Sequence, residues 1–366
     1  MIETPSLVDQ HCHGVLRTEL GLGTFEARLA RTEGPPAPGT TLFDTQTGFA
    51  LRRWCPPLLG LEPHCPPARY LARRRELGVL EAGRRLLRGS GITTYLVDTG
   101  LRGDLTGPGE MAAAGDAAAH EIVRLEPLAE QVADTSGTVD SFLTNLAEAV
   151  HGAAAHAVAF TSVAGVRPGP ALAAEPPGPG EVRGAAGRWL AGRRVGGELS
   201  DPVLLRHLLW IAVASGRPLQ LHAGLGGPGS AGTDPLPLTD FVRATAGLGT
   251  DLVLLCGHPY HHHAARLAGL FPHVYADSGA ALVRTGARAA TVLAEILELA
   301  PFGKVLFSSG AQGLPELHVL GAHRFRESLE RVLGGWVTEG AWCPADAQRV
   351  ATMVAAENAM RVYGLG

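Results

Sequence analysis

The 366-residue chain has no excess of positive charge: 31 lysines and arginines stand against 35 aspartates and glutamates, a formal charge of −4. A surface built to neutralise phosphates, for nucleic acid or an anionic membrane, therefore has no electrostatic support. No apolar run reaches the roughly 20 residues that span a bilayer, because Arg, Asp, Gly or His interrupts every such stretch. The opening MIETPSLVDQHCHG lacks the basic segment and apolar core of a secretory signal, so a cytoplasmic protein is expected. Cysteine is sparse: Cys12, Cys55, Cys65, Cys256 and Cys343 are odd in number and scattered, which suits free thiols rather than a disulfide framework. No glycine-rich run carries the context of a nucleotide-phosphate cradle, and the GxSxG turn of serine hydrolases and any solenoid repeat are absent.

What stands out instead is histidine, 15 in all, set in a regular alternation of short apolar runs and longer helix-period stretches. That alternation is the mark of parallel strands joined by crossover helices. Strands are expected near Ser6–Gln10, Ile92–Asp98, Glu121–Leu125, Ala157–Val163, Pro218–His222, Leu252–Cys256, Val274–Asp277 and Lys304–Ser308. Eight strands favour a single (β/α)₈ TIM barrel over residues 1–366, with a doubly wound sheet as the competing topology. Residues 15–90 are too long for a bare connection and are expected to form a helical insertion after the first strand. The Pro/Gly/Ala-rich stretch 165–199 reads as a long loop or lid after the fourth strand.

Histidines fall at the ends of these strands. His11 and His13 are two apart, so on a strand both imidazoles project to one face and can share a metal ion, while Cys12 points away. His222 ends one apolar strand; Cys256 and His258 end another. In a barrel such ends converge at the catalytic mouth. Arg124 and Glu126 alternate to one side of the third strand, where they either orient substrate or bind each other, and Arg167 is placed to meet a substrate carboxylate. The tract His261-His262-His263 opens a helix and reads as lining the mouth or capping backbone groups. Cys55, His64 and Cys65 lack the CxxC spacing of a structural zinc site.

The segments HCH, ITTYLVDTG, VRLEPLAE, PLQLHAGLG, PYHHHAARLA, FPHVYADSG, LAPFGKVLFSS, GLPELH and ENAMRVYGL, in this order, resemble the amidohydrolase superfamily. The likeness is to its amidohydrolase-related branch, which includes the hydrolase half of fungal proteins fused to a glutamine-synthetase-like domain. The resemblance implies a metal-dependent hydrolase, most often with zinc, in which a strand-eight aspartate accepts the proton of activated water. It matches His11, His13 and His222 to metal ligands and leaves Cys256 or His258 facing the site, His258 as a substrate-polarising group or fourth ligand.

Three departures accompany the match. Ser309 is followed by Gly310 where the family has aspartate, Thr161 stands where relatives have lysine, and the loop 224–229 lacks an acidic residue. Asp277 or Glu316 would then have to supply the base, although Glu316 also reads as a structural anchor of the eighth loop. The resulting expectation is a hydrolase of a small amide- or carboxylate-bearing molecule, with homo-oligomerisation allowed. The alternatives are a lyase-type enzyme such as a decarboxylase, or a retired barrel that binds a ligand or partner.

Overall fold

The computed structural model describes residues 2–3, 6–30, 32, 36–166, 174–223 and 234–366. Eight parallel strands run in sequence order around a barrel: β1 (Leu7–Cys12), β2 (Ile92–Asp98), β3 (Ala118–Arg124), β4 (Ala159–Ser162), β5 (Leu219–Ala223), β6 (Leu252–Cys256), β7 (Val274–Asp277) and β8 (Val305–Leu306). Backbone bonds from Gln10 N to Phe307 O at 3.0 Å, Gly310 N to His11 O at 3.1 Å and His13 N to Ala311 O at 2.9 Å bring the chain after β8 back to β1. The (β/α)₈ expectation holds, and the doubly wound alternative is excluded.

The first connection carries the helical insertion: α1 (Leu22–Ala30), α2 (Gln46–Leu58) and α3 (Pro67–Ser90). Its apolar faces, with Phe25, Leu51, Cys55, Cys65 and Tyr70, form a second hydrophobic cluster against Leu317 and Leu320. The remaining helices are α4 (Pro108–Gly115), α5 (Leu125–Thr135), α6 (Val139–Ala154), α7 (Pro179–Gly192), α8 (Pro202–Ala214), α9 (Thr239–Thr245), α10 (His261–Leu270), α11 (Gly279–Thr285), α12 (Ala289–Leu299), α13 (Pro315–Thr338), α14 (Pro344–Thr352) and α15 (Asn358–Tyr363). Among the described residues no helix is long and apolar enough to cross a membrane.

Two expectations are corrected here. The stretch 165–199 is not all loop: α7 starts with Pro179 at its first turn and buries Val182, Ala185, Ala186 and Trp189, at steps of three and four residues. Four glycines in that helix lower its propensity and hide the period. The third strand lies earlier than expected, and α5 begins at Leu125 with no intervening loop. Pro127 is tolerated there because the first helical turn has no partner for its missing N–H.

Inside the barrel, Val8, Leu96, Ile122, Ala159, Val253 and Leu306 pack with Ala359, Val362 and Tyr363 of the C-terminal helix, which closes the barrel beneath the site. Above this apolar layer lies a polar one. The Tyr363 hydroxyl donates to Gln10 Oε1 at 2.6 Å, and Gln220 Nε2 donates to Gln10 Oε1 at 2.9 Å and to the Tyr363 hydroxyl at 2.8 Å.

Candidate metal centre

The register of β1 against β2 slips between Asp9 and Cys12, and this irregularity lets consecutive Gln10 and His11 both meet Gln220 across the interior. Cys12 turns outward into the core between barrel and helices, as strand alternation predicts. The His11 ring lies edge-on to His13, centroids 5.1 Å apart, and to His222 at 5.0 Å. Donor atoms of His11, Asp98 and His222 all fall within 4.8 Å of one another.

Hydrogen bonds fix which ring nitrogens carry protons. The amide nitrogen of Gln220 is spent as a donor, so its Oε1 accepts from His11 Nδ1 at 2.8 Å. His13 Nδ1 donates to the carbonyl oxygen of Asp98 at 3.0 Å. Both tautomers therefore place a lone pair on Nε2, the usual arrangement for a metal-binding imidazole held from behind. His222 Nε2 is buried and has no hydrogen-bond partner among the described residues. Burial holds the His222 imidazole well below its ordinary pKa, reinforced by the charges of His11 and Arg124, and burial also lowers His11 against the pull of Asp98. Neutral imidazoles, a carboxylate and an orphaned buried nitrogen fit a divalent cation.

Asp98 is the ligand candidate that the sequence reading missed. It ends β2, 1 % exposed, with Oδ1 accepting from Gly100 N at 2.8 Å and Oδ2 accepting from Arg124 Nε at 3.0 Å and from Arg124 Nη2. Gly100 is needed for this approach: a Cβ there would lie 2.2 Å from Cβ of Arg124. The signal available was an aspartate two residues after inward-facing Leu96 at a strand's C-terminal end.

Arg124 thus reaches the site, but Glu126 does not join it. The expected same-side pairing of Arg124 with Glu126 fails because the strand ends between them. Glu126, in the first turn of α5, is buried and accepts from Ser162 Oγ at 2.5 Å and Val163 N at 3.0 Å, tying α5 to the end of β4. Glu316 is likewise corrected as a base. It is fully buried in the insertion's interface, accepting from Tyr70 Oη and Arg74 Nε, both at 2.9 Å. That is the anchor reading of Glu316.

Asp277 does lie at the interior, 2 % exposed at the end of β7, accepting from Gln10 Nε2 at 3.0 Å and close enough to His11 to raise its pKa. His258 is exposed beyond β6, its ring stacked on His261 at 5.5 Å, and it is not brought into the His11–Asp98–His222 group. The side chain of Cys256, residue Arg167 and the loop 224–229 lie outside the described residues. The histidine tract pairs with carboxylates: His261 and His262 with Glu295 at 2.7 and 3.3 Å, and His263 with Asp234 at 2.8 Å. Thr161 is buried between Arg124 and Gln220 in register, its hydroxyl without a partner among the described residues. Gly310 has φ +55°, and a Cβ there would meet nothing within 4 Å.

Imidazoles and a carboxylate gathered at the C-terminal mouth of a closed parallel barrel define the class of metal-dependent, amidohydrolase-type barrels. The chain belongs to the amidohydrolase family, whose profile matches residues 105–365. That stretch takes in His222 and Asp277, whereas His11, His13 and Asp98 precede it. The chain is 31% identical over 153 residues to protein fluG of Emericella nidulans, a match covering 41% of this chain and 18% of that protein. Among solved structures it resembles a Lactobacillus casei protein assigned to the metal-dependent hydrolases, with TM-score 0.81, 24% identity, and 98% and 95% of the two chains covered. It also resembles the uronate isomerase of Thermotoga maritima, with TM-score 0.66, 14% identity, and 98% and 94% covered. At these identities the structural likenesses establish the fold.

Proposed function

We propose that this protein is a metal-dependent hydrolase of a small amide- or carboxylate-bearing molecule, with zinc held by His11, Asp98 and His222 and His13 adjoining. The observation that carries the reading is the convergence of those three donor sets around the orphaned Nε2 of His222. When bound, the ion supplies a Lewis acid that lowers the pKa of water toward neutrality. The protein's own groups do the rest. Gln220 holds His11, and the Asp98 carbonyl holds His13, in the tautomers that present Nε2. Arg124 is the cation available to a substrate carboxylate, which would compete with Asp98 for its N–H groups. The buried Thr161 hydroxyl can hydrogen-bond a polar atom of the substrate. Asp277 replaces the missing strand-eight aspartate as proton acceptor, since Glu316 is committed to Arg74 and Tyr70.

The test is hydrolysis of a panel of small amides and carboxylate esters by zinc-reconstituted protein. Asp277→Asn should lower kcat by about 10²–10⁴-fold while metal content stays unchanged. Full activity in that variant would remove Asp277 from the mechanism. A second reading, a barrel retained without turnover, is favoured by Gly310 together with the Arg124 guanidinium already seated on Asp98. Its mark would be a folded protein that binds neither metal nor any member of the panel.

A further inference from the structure

Behind β1, on the face opposite His11, the motif GLPELH delivers a second group of ligand-type side chains that the proposed chemistry does not use. His318 of α13 is fully buried, and among the described residues neither of its ring nitrogens has a hydrogen-bond partner. Two orphaned nitrogens on one buried imidazole are an uncommon expense in a protein interior, because each forfeits its bond to water. Beside it lie Asp9 and Cys12, both fully buried, and the donor atoms of Asp9, Cys12 and His318 are all within 4.8 Å of one another. His318 Nδ1 stands 3.6 Å from Asp9 Oδ2, too far for a hydrogen bond. That separation is near the edge of a tetrahedral coordination shell, where bonds of about 2 Å put neighbouring donors about 3.3 Å apart.

We infer that Asp9, Cys12 and His318 form a second, buried metal site that takes a zinc-class divalent cation. A thiolate, an imidazole and a carboxylate are a donor set suited to zinc. Binding would replace the thiol proton of Cys12 with a metal–sulfur bond, the proton leaving to solvent. Ser309, whose hydroxyl donates to Asp9 Oδ2 at 2.5 Å and whose backbone N–H donates to Asp9 Oδ1 at 2.8 Å, ties the end of β8 to the same group. A cation here would clamp β1, the chain after β8 and α13 together directly behind the strand that carries His11 and His13. The second site would then fix the backbone from which the first is built.

Cobalt(II) is the probe, because thiolate ligation produces a near-ultraviolet charge-transfer band that a histidine–carboxylate site lacks. The full chain, stripped and reloaded with cobalt, should hold two ions and show that band. Cys12→Ser and His318→Asn should each abolish the band and lose one ion, whereas His11→Ala/His13→Ala should lose one ion and keep the band. Wild-type protein that shows no band overturns the inference without reference to any variant, and so does a band that survives Cys12→Ser. Loss of metal from the His11/His13 variant alone bears on the catalytic centre and leaves this site standing.

Discussion

Replacing Arg74 with methionine should be among the most damaging single changes outside the barrel mouth. Arg74 is 2 % exposed and Glu316 fully buried, and the guanidinium spans Glu316 on α13 and Glu19 at the start of the insertion, with contacts of 2.9–3.0 Å. Methionine keeps most of the apolar stem but removes the charged guanidinium, whose central carbon lies 5.6 Å from the Phe25 ring centroid. Glu316 would then be a buried carboxylate with only the Tyr70 hydroxyl to answer it. Stranding one partner of a buried pair costs about 3–5 kcal/mol, whereas replacing both by neutral groups is often near neutral. Arg74→Met should therefore lower the urea midpoint by about 1–1.7 M for a slope of about 3 kcal/mol per molar. Arg74→Met/Glu316→Gln should recover most of that loss, and urea unfolding of both single variants and the double variant measures the coupling. The reasoning fails if Arg74→Met costs less than about 1 kcal/mol, or if the double variant is no more stable than the single. Because the pair anchors rather than catalyses, the double variant should keep the metal content of the wild type.

Glu126 gives a pH signature. Burial raises its pKa above the ordinary 4.5, outweighing the bonds from Ser162 and Val163, so the folded state holds the proton more tightly than the unfolded. Its contribution to stability therefore grows as pH falls through the raised folded value toward 4.5 and is lost as pH rises above it. Glu126→Gln removes that dependence: melting curves from pH 8 to 4.5 should show the variant at no disadvantage at pH 8 and the wild type gaining on it in acid, and parallel curves would refute this. Gly310→Asp should be tolerated at a cost of about 1 kcal/mol, because the left-handed backbone is strained for a side chain but aspartate visits it and the Cβ has open space. Calorimetric zinc titration should show tighter binding in Gly310→Asp than in wild type; unchanged affinity would mean that the new carboxylate does not face the ion.

The strands were legible because each is a short apolar run closed by a polar residue, and β2, β6 and β7 lie at their expected bounds while the others shift by a few residues. His11 and His222 were legible as a pair for the same reason: each follows a run whose direction fixes the end it occupies. Asp98 was not, because nothing in VDTG distinguishes a site aspartate from a strand-end one until β1 and β2 are laid side by side. Arg124 and Glu126 show the cost of a small boundary error: moving the end of β3 back by one residue turns Glu126 from the mouth of the barrel into the first turn of a helix. Glu316 was ambiguous because its partner, Arg74, lies 242 residues away in an insertion whose packing no local pattern encodes. His318 carried no period of its own, and its surroundings emerge only when α13 is placed behind β1.

The account rests on a cation held by His11, Asp98 and His222 at the barrel mouth. Plasma mass spectrometry of untagged wild type beside His11→Ala/His13→Ala tests it without a substrate. The double variant should carry one zinc-class ion fewer per chain than the wild type, with an unchanged fold by circular dichroism. Equal metal content in the two proteins, or a wild type that stays metal-free after zinc reconstitution, would contradict the claim.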